Sequence, residues 1–457
     1  MKKLAIGVSS IAVLVIAGSF ASSYYIGGRV QQGLEDAAKA LSAEEGLQVD
    51  IVDYQRGIAQ SQAQTRWTMA HGEEAYHFTV KHDIVHGPWP MGNAAKVVSR
   101  LELPEHFNAQ LAQAFQQQAP MTWTAIAHWD GSTAHTLVSP SLNTTLEDGT
   151  AVQWGGLNAE WTLSAQHNAM QGFAKLPLLD LHSPEAGDRL QLQQLELSFD
   201  ATKPDTYQIW LGPSALKIGS LALQETSNNV SVQLQDIDLQ TSTSMQGPLL
   251  NMGFNSKIGK LQASGTDINH VELDLQIDRI NARWMDEFST MLSTTTPESL
   301  GEEQADALLH SLPMLLTDKP VIAIPRLALT TPQGTVQMSA RAAYVGQQPT
   351  SFDPSTDLEI NVRAELPQAL AQEWVAPKVR RDYMELLESL QQELDATQMQ
   401  AAVEDGVAKR IAHLLELGAM QTQGSNFVTE LDFTQGEIRL NKQPQSLQQL
   451  LSLGSAL

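Results

Sequence analysis

Apolar and polar residues alternate through the long middle part of this 457-residue chain. Between residues 47 and 279 the dominant period is two, as in the apolar run Val271, Leu273, Leu275 and Ile277. Successive side chains of a β-strand point to opposite faces, so this pattern predicts strands with one buried face and one wet face. We therefore expect antiparallel sheet over most of the chain. The wet face is rich in Gln, Ser and Thr, which accounts for a charged fraction of only 17 %.

One strand changes phase within this region. Its apolar residues are even-numbered at Leu190 and Leu192 but odd-numbered at Leu195 and Leu197. An irregularity near Gln193–Gln194 would keep all four side chains on one face, so we predict a bulge there.

A short string also recurs in the β-rich region. Residues 217–221 read KIGSL, and residues 257–261 read KIGKL. Two copies of so short a string fit either chance within strands of low diversity or stacked β units in an elongated sheet.

The start of the chain carries a membrane signal. Lys2 and Lys3 precede an uncharged stretch, residues 4–26, which at ~1.5 Å per residue is long enough to cross a ~30 Å hydrocarbon core. Two lysines and the amino terminus before this stretch, against Arg29 after it, favour a cytoplasmic N-terminus. We therefore expect an uncleaved transmembrane anchor over residues 1–28, with the rest of the chain across the membrane.

A cleaved signal peptide is the alternative reading of the same segment. Lys2–Lys3 would form its basic region, and Ser19-Phe20-Ala21 loosely fits a small-x-small cleavage site. The product would be a secreted protein rather than an anchored one, and the bulk of the chain would be exported in either case.

Changes in periodicity divide the remaining chain. A stalk helix is expected at 29–46, a β-rich region at 47–280, and a mixed helix and strand region at 281–457. Helices are expected at about 284–291, 297–316 and 368–417, the last broken near Asp395–Thr397, with a helical interruption of the sheet at about 93–118 and a final hairpin that turns at Gln435–Gly436. The predicted fold class is α+β: a single N-terminal transmembrane helix followed by a mainly antiparallel β-sheet body with packed helices.

An apolar stripe marks the last of these helical segments. Tyr383, Leu387, Leu390 and Leu394 are spaced 4-3-4, the pattern of one helix face. We expect this face to pack against a sheet. The alternative is a coiled coil with a partner, in which the region Tyr383–Leu417 makes the protein a homo-oligomer.

Composition and motifs exclude several classes of function. The chain has 28 basic and 51 acidic residues, a net charge of −23, so nucleic acid is a poor partner. It has no cysteine, which excludes disulfides, thiolate zinc sites and cysteine nucleophiles. Sequence motifs of nucleotide binding, metalloproteases and serine hydrolases are also absent. We expect no enzyme activity and no cofactor.

Histidine remains as a metal ligand. His82 and His86 share one face of a predicted strand but lie ~13 Å apart along it, at ~3.3 Å per residue, which is too far for one metal ion. We expect no metal site, and we expect His86 to stabilise the following turn at Gly87-Pro88 by a hydrogen bond. Arg56, between two strands, is expected to pair with a buried carboxylate, or else to hold a phosphate.

Several strings together resemble the YdgA family of uncharacterised bacterial envelope proteins. They are the charged start with its apolar segment, Tyr54–Gly57 (YQRG), His86–Pro90 (HGPWP), Leu312-Pro313 with Pro320–Ile324, and Gly436–Gln443. The motif residues, whose role is unknown, are Tyr54, Arg56, Gly57, His86, Gly87, Pro88 and Pro90.

This resemblance implies a location but no chemistry. Family members are anchored in the bacterial inner membrane, here through residues 4–26, with the bulk of the chain in the periplasm. No catalytic residue comes with the family. The β-rich body behind one anchor is also loosely similar to AsmA-like envelope proteins, which are implicated in lipid transport. We therefore expect a non-enzymatic role in envelope maintenance, through binding of a lipid or an envelope protein. The alternative is a self-associating scaffold.

Overall fold

The computed structural model describes residues 47–449 apart from gaps at 58–59, 72–73, 87–92, 103–113, 116–117, 147, 264–265, 294–301, 393 and 447. The predicted anchor and stalk, residues 1–46, lie outside the described residues. Within the described part, no helix has the length and apolar character needed to cross a membrane. The chain divides into two compact units. Of the described residues, the first contains those up to Thr206 together with Gly212–Gln233, and the second contains Tyr207–Leu211 together with those from Leu234 onwards.

The first unit is an antiparallel meander. Its strands are β1 (Leu47–Gln55), β2 (Gln60–His71), β3 (Glu74–His86), β4 (Ala95–Glu102), β5 (Thr122–Ala127), β6 (Thr133–Ser139), β7 (Leu142–Thr145), β8 (Ala151–Trp154), β9 (Leu157–Leu163), β10 (Ala169–Ser183), β11 (Asp188–Thr202) and β12 (Gly212–Glu225). Strands β1 to β6 pair in sequence order, as do β9 to β12. Because β6 pairs with β9 and β7 with β8, these four strands form one long interrupted hairpin.

Strand β4 corrects one sequence prediction. Residues 95–102 were expected within a helix but form a strand that pairs with β3 and β5. The segment buries its odd-numbered side chains, among them Ala95, Val97 and Ser99, on one face of the sheet. Period two and sheet pairing therefore override the local helical pattern.

A line of irregular residues crosses the strands of the first unit. Pro140 lies between β6 and β7, the pair Gly155-Gly156 lies between β8 and β9, and Pro177, Gln194 and Gly219 lie in β10, β11 and β12. Registers run unbroken on both sides of this line. The bulge predicted at Gln193–Gln194 is therefore wrong. The strand changes phase at the left-handed Gln194 with no extra residue and no register shift, and Pro177 and Gly219 lie opposite it in the neighbouring strands.

Gln194 adopts the left-handed conformation, with φ of +54°. Its side chain lies over Gly219, where an added Cβ would stand 2.5 Å from Gln194 Oε1. The apolar clusters on the two sides of the line share Leu157 as a packing neighbour, so the apolar side chains stay on one face.

The recurring KIG string marks the same device in the second unit. Asp236 has φ of +53°, and a Cβ added at Gly259 would stand 2.9 Å from Asp236 Cβ. At each glycine of the repeat, the missing Cβ therefore leaves room for the side chain of a left-handed residue on the preceding strand. This equivalence favours a structural repeat over chance.

The second unit is a sheet with helices inserted between its strands. Its strands are β13 (Val230–Gln246, from Leu234 onwards in this unit), β14 (Leu249–Ala263), β15 (Thr266–Ile268), β16 (His270–Asn281), β17 (Val321–Thr331), β18 (Gly334–Tyr344), β19 (Leu358–Pro367), β20 (Gln421–Gln423), β21 (Asn426–Thr434), β22 (Glu437–Leu440) and β23 (Gln443–Gln445). Its helices are α1 (Ala282–Ser293), α2 (Glu302–Thr317), α3 (Pro354–Asp357), α4 (Gln368–Leu390) and α5 (Ala396–Glu416), with a 3-10 turn at Pro349–Ser351. Antiparallel pairing runs through β14, β16, β17, β18, β19, β21 and β22.

The predicted helical break and final hairpin are confirmed. Helix α4 ends at a left-handed Gln391, and α5 starts at a capping box in which the side chains of Asp395 and Gln398 each accept a backbone N–H of the other. The two helices pack closely at Gly406, where an added Cβ would stand 2.7 Å from Val379 Cγ1. The hairpin of β21 and β22 turns at Gln435–Gly436, both at positive φ.

A substitution at Gly172 tests the close packing of β9 and β10. An added Cβ there would stand 2.5 Å from the carbonyl oxygen of Glu160 and 2.6 Å from Trp161 Cβ, neither of which is a mobile group. We expect Gly172→Ala to lower the free energy of unfolding by about 1–3 kcal/mol. Gly253→Ala is the matched control, because its Cβ would meet only the Ser242 hydroxyl. Equal losses in denaturant titrations of the two variants would contradict the packing described.

Candidate functional site

Histidine and hydroxyl side chains are paired along β2 and β3. The pairs are His86 Nε2 with Ser61 Oγ at 2.8 Å, His82 Nε2 with Thr65 Oγ1 at 2.9 Å, and His77 Nδ1 with Thr68 Oγ1 at 2.9 Å. We call these three pairs the histidine ladder. The first two lie on the inner face of the sheet and the third lies on its exposed face.

His82 is the most deeply buried member of the ladder. Its second ring nitrogen, Nδ1, is hydrogen-bonded to Ser99 Oγ at 2.8 Å, so both nitrogens have partners. Burial lowers the pKa of His82 from 6.5 to about 4, although the nearby Asp83 carboxylate opposes part of this shift. The imidazole is therefore neutral at physiological pH and links β2, β3 and β4 by hydrogen bonds.

The ladder joins two of the predicted motif strings. The Gly57 N–H donates to Ser61 Oγ over 3.3 Å, and the same oxygen is paired with His86. Tyr54 packs against the apolar cluster that contains Ala63 and Ile84. The structure therefore brings Tyr54, Gly57 and His86 to one end of the β2–β3 pair, while Gly87, Pro88 and Pro90 lie outside the described residues.

Arg56 occupies a different environment from the one predicted. It follows the end of β1, is exposed, and makes no ion pair within the described part of the chain. The expected pairing with a buried carboxylate is thus not found among these residues, because the strand ends before Arg56 and leaves it at the surface.

The pairing of Ser61 with His86 invites comparison with a hydrolytic dyad. A serine nucleophile must reach its substrate, and its histidine base is oriented by a third group. Ser61 is only 2 % exposed, and no carboxylate among the described residues bonds to His86. Similar pairs recur at Thr65 and Thr68, so the arrangement is structural. Across the described residues, no group of three or more potential ligand side chains converges as a metal site.

A second buried histidine packs against two indoles. His135 stacks on Trp161 with ring centroids 4.9 Å apart, and on Trp123 with centroids 5.7 Å apart. Burial lowers the pKa of His135 to about 4. Sequence reasoning missed this cluster, because its members come from β5, β6 and β9 and only the strand registers bring them together.

The second unit carries a broad apolar sheet surface. Two rows of register partners cross it: Leu273, Leu327, Met338 and Ala364 in one, and Ile277, Ile322, Ala342, Ile360 and Phe433 in the other. We call this surface the aliphatic face. No residue of either row is charged, and the second row spans about 20 Å at ~4.8 Å per strand.

Helices cover this face only at its ends. Helices α1 and α2 join a core with Leu250 and Ile280, whereas α4 and α5 join a core with Phe427 and the half-buried Leu366. The row of Leu273, Leu327, Met338 and Ala364 belongs to neither core, and its members are only half-buried. The other row reaches the core of α1 and α2 at Ile277, and its Ile322 is 50 % exposed. The packing helices that the sequence predicts are present, but a strip of the aliphatic face remains open within the described residues.

The reverse face of the same sheet is charged. Glu272 pairs with Arg326 at 2.7 Å and with Lys257 at 3.5 Å, and Arg363 pairs with Glu365 at 2.7 Å. One surface of the sheet is therefore an ion-pair network and the other is hydrocarbon.

Comparison with known proteins places this chain in a family. A family model described as a bacterial protein of unknown function (DUF945) matches residues 1–448, so the chain belongs to that family. It is also 20 % identical over 506 aligned positions to protein YdgA of Escherichia coli strain K12, covering 99 % of this chain and 97 % of that protein. The YdgA-like resemblance is thus confirmed. No solved structure matches the chain.

The buried histidines predict a pH dependence of stability. A pKa lowered in the folded state means that folding disfavours protonation, so stability is complete above pH ~6.5 and falls as the pH decreases towards about 4. Each histidine contributes a slope of about 1.4 kcal/mol per pH unit within this window. We expect His82→Gln to remove one such slope in urea titrations between about pH 7 and about pH 5.

His77→Gln is the control for this experiment. His77 lies on the same strand but is exposed. The slope assigned to His82 should therefore persist in this variant. An unchanged slope in His82→Gln as well would show that the buried imidazole is not the group responsible.

Proposed function

We propose that this protein is a non-enzymatic, inner-membrane-anchored periplasmic protein that binds the hydrocarbon chains of lipids on its aliphatic face, in the maintenance of the cell envelope. The observation that carries the proposal is the open middle strip of this face, formed by the row Leu273, Leu327, Met338 and Ala364. Exposed contiguous apolar surface is uncommon on soluble domains and marks sites of binding.

The composition of the face favours hydrocarbon as the ligand. Residues from β16, β17, β18, β19 and β21 line it without a charged group, while the ion pairs of the sheet are on the reverse side. A lipid chain would be held by burial of its methylene groups, at ~0.8 kcal/mol for each one fully buried. The reverse face is charged and the whole chain carries a net negative charge. Both keep the surface around the lipid site hydrated.

The N-terminal segment supports the proposed location. Residues 4–26 are uncharged and long enough to span a bilayer, with Lys2 and Lys3 on the proposed cytoplasmic side. An anchor would keep the aliphatic face near its source of lipid. The N-terminal residue of the mature protein decides between anchor and signal peptide, and a start at Ser22 would refute the anchor.

Site-specific photo-crosslinking tests the lipid site. A benzoylphenylalanine at Met338 would lie on the aliphatic face, whereas the same group at the adjacent Gln337 would lie on the reverse face. We expect irradiation in cells to give lipid adducts, detected by mass spectrometry, at Met338 and not at Gln337. Adducts at neither position, or equally at both, would contradict the proposal.

Self-association is a second candidate function, favoured by the end of helix α4. Leu386 and Leu390 are 51 % and 56 % exposed there, one helical turn apart. The core of the helical hairpin includes Val379 and extends to Tyr383, so the last turns of α4 contribute little to it.

Light scattering tests this second function. After removal of residues 1–28, we expect a dimer that the double substitution Leu386→Glu with Leu390→Glu converts to a monomer. Gln392→Glu adds negative charge near the same end and should leave the dimer intact. A monomeric starting protein at high concentration would contradict this function.

A further inference from the structure

A second apolar surface lies on strands β11 and β12 of the first unit. Four rows of apolar register partners run onto these two strands from β8, β9 and β10. The rows are Val152, Leu181, Leu190 and Leu223; Trp154, Leu179, Leu192 and Leu221; Leu176, Leu195 and Ile218; and Ala159, Ala174, Leu197 and Leu216. Leu176 and Leu179 contact the same core cluster, so the rows on both sides of the irregular line share one face.

Burial decreases along these rows towards β12. Ala159 is 2 % exposed, whereas Leu197, two strands further along the same row, is 36 % exposed. Val152 and Leu181 are buried, and Leu223 at the end of their row is 39 % exposed. This apolar face is therefore closed at β8 and β9 and opens to solvent over β11 and β12.

Six side chains at the open end belong to none of the apolar cores among the described residues. We call these side chains the leucine patch: Leu195 and Leu197 of β11 with Leu216, Ile218, Leu221 and Leu223 of β12. In the described part of the first unit, no helix is available to cover them. The reverse face is polar, with an ion pair between Lys175 and Glu196 at 3.0 Å.

The composition and size of the leucine patch favour a hydrocarbon chain over a protein partner. Cores of protein interfaces are enriched in aromatic residues, Met and Arg, whereas the patch contains only Leu and Ile. Leu216 to Leu223 spans ~23 Å at ~3.3 Å per residue, and two strands are ~10 Å wide. The resulting area of ~230 Å² is far below the ~800 Å² that each partner of a stable protein interface buries. A long, narrow aliphatic surface fits a linear chain.

We propose that the leucine patch is a second binding surface for the hydrocarbon chain of a phospholipid. This inference rests on the proposed function for the class of ligand, but on the first unit alone for the site. The aliphatic face of the second unit is five strands wide, whereas the patch is two strands wide and leaves one side of a bound chain in water. Fewer methylene groups are buried there, so a chain on the patch exchanges readily and is not retained through purification in detergent.

Photo-crosslinking of the full-length protein in cells tests the patch, because it captures a ligand that exchanges. A benzoylphenylalanine at Leu197 would lie on the patch, whereas the same group at Ser198 would lie on the reverse face, and both positions are exposed. We expect phospholipid adducts, detected by mass spectrometry, at Leu197 and not at Ser198.

A charge on the neighbouring strand gives a second variant. Leu216 is the register partner of Leu197, and Ala215 is the register partner of Ser198. We expect Leu216→Lys to abolish the adducts at Leu197, whereas Ala215→Lys should leave them unchanged, because only the first change places a charge on the patch. The probe at Leu197 in the otherwise unchanged protein remains decisive if Leu216→Lys fails to fold.

The outcomes separate this inference from the proposed function. Adducts at Met338 with none at Leu197 would overturn the leucine patch and leave the aliphatic face intact. Adducts at Leu197 with none at Met338 would support the patch and contradict the aliphatic face. Equal adducts at Leu197 and Ser198, or a crosslink from Leu197 to a protein instead of a lipid, would overturn the patch.

Discussion

The confinement of apolar side chains to one face of an antiparallel sheet is the constraint on which this structure depends. Strands of fifteen or more residues, such as β10, β11 and β13, must hold this alternation while the sheet bends. They do so with left-handed residues set over glycines, Gln194 over Gly219 and Asp236 over Gly259. Each device shifts the phase of a strand without moving its apolar residues to the wet face.

The two units use this face differently. In the first unit the inner face of β2, β3 and β4 is buried, and His82 is matched there by the hydroxyls of Thr65 and Ser99. In the second unit the helices cover only the ends of the face, and the residues around Leu327 stay half-buried. The charge network on the reverse side supplies solubility, so hydrocarbon can remain open on the other side.

Local signals in the sequence predict much of the fold. Period two predicts the strands and the mainly antiparallel sheet, helical spacing with a break near Asp395 predicts the helical hairpin, and Gln435–Gly436 predicts the final turn. The capping box at Asp395 and the Gln435–Gly436 turn are examples. Strand β4 was misread, because pairing on both edges decided its conformation. The stack of Trp123, His135 and Trp161 and the open strip of the aliphatic face could not be predicted, since register and helix placement create them. The role of Arg56 could not be predicted either, because a lone arginine does not reveal where its strand ends.

The lipid content of the purified protein tests the central claim most directly. Leu327 lies in the middle of the aliphatic face, paired in register with Leu273 and Met338. Leu327→Lys would place a charge within the proposed hydrocarbon site, where desolvation makes it costly. The account predicts that phospholipid co-purifies with the wild-type protein and is lost from this variant when both are extracted in the same detergent. No bound lipid in the wild type, or equal amounts in both, would contradict it.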